Sequence, residues 1–285
     1  MNRPGFLKNP MPPAPERTRG PVRCGSFMLE LQGAPWRYQL AHDREDSTLL
    51  WITKGQGRAM VAGVLRGVSM HQALWLPAGT LFAIDLQPGT QALFVHAPTG
   101  LAPKEPETPM LLRIRDSFAQ AELTGEIDAM HRELTQKRAL MQDSLEARVH
   151  LLGIWLHRQI EKGAAETPKD TAAQRLARRY AQALTRDFRT AQPMAAYADA
   201  LDVTPTHLSR ICRQCCGKTA ADLLTERKLH AARIALESPR PPVQDVAKSL
   251  GFSSAAYFTR FIQTHTGKSP SQLRTDARKM LAARH

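Results

Sequence analysis

The sequence predicts a two-domain α+β chain, an N-terminal β-barrel with attached helices followed by an all-α domain built from two helix-turn-helix units. Three observations carry that reading: short apolar runs punctuated by Gly and Pro, a later change to 3.6-residue periodicity, and a gapped repeat in the last third. At 285 residues the chain is long enough for two domains, each with its own core. Its 42% hydrophobic and 23% charged residues exclude a mostly disordered chain.

Residues 1–22 read as a disordered tail, because Pro4, Pro10, Pro12, Pro13, Pro15 and Pro21 permit neither a helix nor an apolar core, and no signal peptide is expected. Residues 23–105 read as the barrel. The runs Thr48 to Thr53, Ala59 to Val64, Ala73 to Leu76, Leu81 to Leu86 and Ala92 to Val95 have strand length, with Gly55, Gly57, Gly79 and Gly89 between them. Residues 106–162 read as a helical dimerisation segment. There Met141, Leu145, Val149, Leu152, Leu156 and Ile160 recur every three or four residues, and Leu151, Ile154 and Trp155 add a second apolar flank. A helix apolar on two sides needs two partners. One is the barrel and the other a second copy of the chain, which makes Leu145, Val149, Leu152 and Leu156 the expected homodimer interface; burial within one subunit is the alternative. Residues 163–172 read as a linker.

The formal net charge of +13 is not spread evenly. Thr171 to His285 carry 19 Lys and Arg against 8 Asp and Glu, leaving 20 against 18 for residues 1–170. A basic excess confined to one domain suits a polyanion, since counterion release from phosphates drives nonspecific affinity; a merely soluble basic domain is the alternative. The same domain holds the repeat. Ala198, Leu201, Arg210 and Gly217 match Ala247, Leu250, Arg260 and Gly267, with one extra residue in the second turn. Each has a place in a helix-turn-helix. The alanines let two helices cross closely, Val203 and Phe252 plug the corner, Thr204 and Ser253 offer capping hydroxyls, and Pro205 suits a first helical position. Asp202 and Gly251 stand where the turn calls for positive φ. Between the copies, Ala220 to Glu237 reads as one long joining helix.

From Ala173 to Arg274 these residues resemble the AraC/XylS family of bacterial regulators, most closely in Asp245-Val-Ala-Lys-Ser-Leu-Gly-Phe252, Tyr257-Phe-Thr-Arg-Phe261 and Gly267-Lys-Ser-Pro270. The resemblance implies a DNA-binding domain over residues 173–278, with recognition helices at about 204–216 and 253–266 entering adjacent major grooves. It implies double-stranded DNA as partner, a small-molecule effector, and RNA polymerase if the chain activates. By position in the motif the base-facing residues are Thr206, Ser209 and Arg210 in the first unit and Ala255, Ala256, Thr259 and Arg260 in the second. For Arg210 and Arg260 the alternative is a phosphate contact.

The stretch Trp75-Leu-Pro-Ala-Gly79 is similar to a cupin-type barrel, but only isolated His42, His71 and His96 stand near it, so no metal, no cofactor and no enzyme activity is expected. Trp36, Arg37, Tyr38, Trp51, Trp75 and Phe82 are the candidates for lining an effector pocket, with core and barrel rim as the alternative. Cys212, Cys215 and Cys216 suggest a redox or zinc switch, set against their use as small core hydrophobes. No run approaches the roughly 18 apolar residues of a membrane span, and the cysteines lack extracellular disulfide spacing, so a cytoplasmic protein without a membrane partner is expected.

Overall fold

The computed structural model describes residues 21–166 and 170–282. The tail expected over residues 1–22 therefore lies almost wholly outside the described residues, as does the middle of the expected linker. The N-terminal domain opens with β1 (Arg23–Ser26), α1 (Phe27–Leu31) and α2 (Trp36–Gln39). The strands β2 (Asp46–Lys54), β3 (Gln56–Val61), β4 (Val64–Ser69), β5 (Gln72–Leu76), β6 (Phe82–Leu86), β7 (Gln91–Pro98) and β8 (Met110–Arg113) follow. They form two sheets, five-stranded in the order β1-β7-β2-β5-β8 and three-stranded in the order β4-β3-β6. The sheets do not close into one barrel, and β8 carries the larger sheet past residue 105.

Leu50, Ile52, Val61, Leu74, Phe82, Ile84 and Phe94 fill the space between the sheets. The other face of β2 is also covered, which is why Thr48-Leu-Leu-Trp-Ile52 is apolar without alternation. Its cover is α3 (Ser117–Gln136) and α4 (Met141–Glu161). Leu49, Trp51, Trp75 and Val95 pack there with Leu123, Ile127, Leu145, Val149, Leu152 and Leu156. The Trp155 indole N–H donates to the Ala119 carbonyl at 3.2 Å, tying α4 to α3. The stripe expected at a dimer interface is thus used within the subunit: Leu145, Val149, Leu152 and Leu156 are at most 6% exposed. The second apolar flank divides: Trp155 is buried against α3, while Leu151 at 49% and Ile154 at 39% exposure stay in solvent.

The C-terminal domain comprises α5 (Ala172–Asp187), α6 (Met194–Asp199), α7 (Pro205–Cys216), α8 (Ala220–Glu237), α9 (Val243–Ser249), α10 (Ala255–Thr266) and α11 (Pro270–Ala282). Capping boxes start two of these helices, Thr171 with Gln174 at α5 and Thr219 with Asp222 at α8. Tyr180, Leu184, Leu208, Leu223, Val246, Phe258 and Ile262 form the core, and Ala41, Met60, Leu81 and Ala83 of the N-terminal domain belong to the same cluster.

That shared cluster marks a tight seam. A Cβ on Gly63, in the two-residue turn between β3 and β4, would lie 2.7 Å from the Ala177 carbonyl oxygen of α5. On α8, Arg227 pairs with Asp43 at 2.5 Å, Glu237 pairs with Arg37 at 2.6 Å, and Glu226 accepts from the Ala41 N–H at 3.0 Å. His230 donates from Nε2 to the Arg37 carbonyl at 3.0 Å and stacks on His42 with ring centroids 4.2 Å apart.

Candidate nucleic-acid interface

In the first helix-turn-helix, Ala198 is fully buried where α6 meets α7, and Asp202 turns the chain at φ 58°. The Thr204 hydroxyl accepts from the His207 N–H at 3.2 Å, and Pro205 occupies the first turn of α7. Leu208, Cys212 and Cys216 then point into the core. Thr206 and Arg210 are exposed and Ser209 is half-exposed, so all three remain open to a ligand. Arg213, one turn beyond Arg210, is exposed as well. It was missed as a candidate, although a three-residue step from Arg210 on a helix was enough to find it.

The second unit repeats the geometry with one difference. Gly251 takes the turn at φ 72°, but the cap of α10 is Ser254 rather than Ser253: its hydroxyl accepts from the Tyr257 N–H at 3.1 Å. The extra turn residue moves the cap by one. Phe258 and Ile262 face inward, and Phe252 closes the corner in edge contact with Phe258 at 5.1 Å. Ala256 and Arg260 are exposed, with Ala255 and Thr259 half-exposed. Each recognition helix ends on a left-handed glycine, Gly217 at φ 78° and Gly267 at φ 69°.

The cysteines of α7 have a structural environment. Burial pushes the Cys212 thiol up to about 12 and raises Cys215 and Cys216, so all three stay protonated and poorly nucleophilic. Cys216 donates its S–H to the Cys212 carbonyl at 3.2 Å. Among the described residues, no group of three or more His, Cys, Asp or Glu is placed to hold a metal ion.

A family model described as a helix-turn-helix domain matches residues 197–276. Over 81 residues the chain is 30% identical to the arabinose operon regulatory proteins of Escherichia coli and Salmonella typhimurium, covering 28% of this chain in each case. The C-terminal domain is of the AraC/XylS type. The match spans 28% of the E. coli protein's length and 29% of the Salmonella protein's. The chain is also similar to a protein of Proteus vulgaris described as "Probable transcription factor PqrA", 34% identical over 68 residues, covering 24% of this chain and 56% of that protein. Among solved structures it is similar to unsaturated fatty acid bound ToxT from Vibrio cholerae, at 13% identity and a TM-score of 0.42, covering 90% of this chain and 95% of that one.

Outside the AraC-type domain, the six aromatic and cationic effector candidates lie in three places. Tyr38 and Phe82 pack between the sheets, where the Tyr38 hydroxyl bonds His96 Nε2 at 2.9 Å. Trp51 and Trp75 lie on the helix-covered face, donating to Thr124 Oγ1 at 3.0 Å and the Pro106 carbonyl at 2.9 Å. Trp36 and Arg37 stand at the seam. There the Arg233 guanidinium lies over the Trp36 ring at 3.9 Å.

The turn of the second unit is sterically exacting. A Cβ on Gly251 would sit 2.5 Å from the Arg189 carbonyl oxygen, at a φ that L side chains rarely adopt. Gly251→Ala should lower the stability of the AraC-type domain by at least about 1–2 kcal/mol in urea denaturation. Asp202→Gly, at the matching place in the open first turn, should stay within about 1 kcal/mol of wild type. Equal stability of Gly251→Ala and wild type would contradict this geometry.

Proposed function

We propose that this chain is a transcriptional regulator that binds double-stranded DNA, with α7 and α10 in adjacent major grooves, and responds to a small molecule. The pairing of two open recognition helices on one basic domain is the observation that carries this reading. Its 18-residue spacer α8 is about 27 Å long at ~1.5 Å per residue, close to the ~34 Å of one DNA turn. Thr206, Ser209 and Arg210 supply hydrogen bonds to base edges, while Ala255 and Ala256 suit thymine methyls or groove shape more than hydrogen-bond readout. No catalytic step is assigned, and no cofactor. RNA polymerase is a partner if the chain activates. Among the described residues no helix is long and apolar enough to cross a membrane, which fits a cytoplasmic regulator.

For the effector, the packing favours the seam over the sheets. The inter-sheet space is filled by side chains, whereas a cleft of about 420 Å³ opens between the α1–α2 segment and α8, α10 and α11. Arg37 and Lys268 of its lining are paired with Glu237 and Asp276, and Arg233 has the Trp36 face. Occupying the cleft would shift α8 and α11 together, and so the presentation of both recognition helices.

We assign the homodimer to the outer flank of α4, through the exposed Leu151 and Ile154.

Fluorescence anisotropy with a duplex found by selection from random DNA tests the reading. If two helices engage roughly six phosphates, affinity should fall about a thousandfold between about 50 and about 200 mM salt. Absence of binding at low salt, or binding indifferent to salt, would overturn it.

Sedimentation tests the dimer. Leu151→Glu with Ile154→Glu should give a folded monomer, since a charge at a desolvated contact costs several kcal/mol. Leu152→Glu with Leu156→Glu should unfold the N-terminal domain instead. A wild-type monomer at a concentration of order 100 µM, above the Kd of an ordinary homodimer, would refute the interface.

A further inference from the structure

The two recognition helices treat their matched arginines differently. On α7 the Arg210 guanidinium donates to His207 Nδ1 at 3.2 Å. These residues stand three apart on one helix face, where side chains meet. The backbone of His207 is fixed at the start of α7, its N–H bound by the Thr204 hydroxyl at 3.2 Å, while its ring is exposed beside the Arg210 side chain. On α10 the residue three before Arg260 is Tyr257, whose ring turns toward Phe252 at 5.9 Å. Arg260 has no hydrogen-bond or ion-pair partner among the described residues.

We propose that His207 is a positioning residue for DNA reading by the first unit: its imidazole holds Arg210 in the orientation from which the guanidinium meets a base. The proposal rests on the reading of α7 as a recognition helix. An arginine has five N–H donors, so one bond to His207 leaves enough for a two-pronged contact with guanine. A held guanidinium loses less side-chain freedom on binding than a free one, and it presents one geometry to the groove. Acceptance at Nδ1 places the proton of the neutral ring on Nε2, which leaves that N–H as a donor. By the same logic Arg260, with no holder, discriminates less between bases than Arg210 does.

The test uses the full-length protein and a duplex found by selection, with every base pair under the first unit varied in turn. Discrimination is the ratio of Kd values at each position. Arg210→Ala should lose about tenfold or more at one base pair. His207→Ala should lose about three- to tenfold at that same base pair and little elsewhere. His207→Gln, whose amide oxygen can accept from the guanidinium, should keep most of the discrimination. In the double variant, His207→Ala should add nothing to Arg210→Ala, because it acts through it.

Full additivity in that cycle would overturn the proposal, as would a His207→Ala loss shared equally by all sequences with a shallower salt dependence, the mark of a direct phosphate contact. Tight, selective binding unchanged by His207→Ala would overturn this inference alone. Absence of binding to any duplex at low salt would overturn it together with the regulator reading.

Discussion

Helix α8 is the element on which the two halves of the molecule depend, and Arg227 is its anchor. A guanidinium is charged at every relevant pH, and the Arg227 side chain is only 7% exposed, lying 3.7 Å above the Phe188 ring. Taking such a charge out of water costs several kcal/mol unless a partner compensates it. The partner is Asp43, which comes from the N-terminal domain. The helix that spaces the two DNA-binding units is therefore held in one register against the N-terminal domain by an ion pair that neither domain can complete alone.

The rest of the seam follows from that register. With Arg227 fixed, Glu226, His230 and Glu237 fall on the Arg37 to Ala41 segment, and Arg233 falls on Trp36. The His42–His230 stack needs both rings uncharged, and burial supplies this, holding His42 down to about 3 and His230 to about 2. The cleft at this seam is bounded by both domains. An effector bound there, as proposed, would touch α8 directly, without a change having to travel through the sheets.

The helix-turn-helix units were legible because their chemistry is local. Positive φ at Asp202 and Gly251, the Thr204 cap, the buried alanines and the span of α8 could all be read from residues a few positions apart. The Ser254 cap was misplaced by one residue because the second turn is longer, which shifts a position without changing its type. The larger strands were legible from apolar runs between glycines. By contrast β1 and β8 are only four residues long, and β4 carries Arg66 and Gly67 among its apolar residues.

Periodicity identified the apolar faces of α4 but not what covers them, so the stripe through Leu152 was assigned to a second copy when the sheet already buries it. The aromatic effector candidates scattered for a related reason. In a strand covered on both faces, composition does not reveal which side a tryptophan takes. The seam left no sequence signal at all, since Asp43 and Arg227 are 184 residues apart and neither stands in a motif.

On the proposed function one chain reads two successive major grooves at a spacing set by a rigid α8. Inserting about 5 base pairs between the two contacted segments of a selected duplex tests it most directly, because half a turn of DNA carries the second groove to the far side. Footprinting and affinity should show protection reduced to one segment, with binding falling to near the nonspecific level. Undiminished affinity with both segments still protected would contradict the claim.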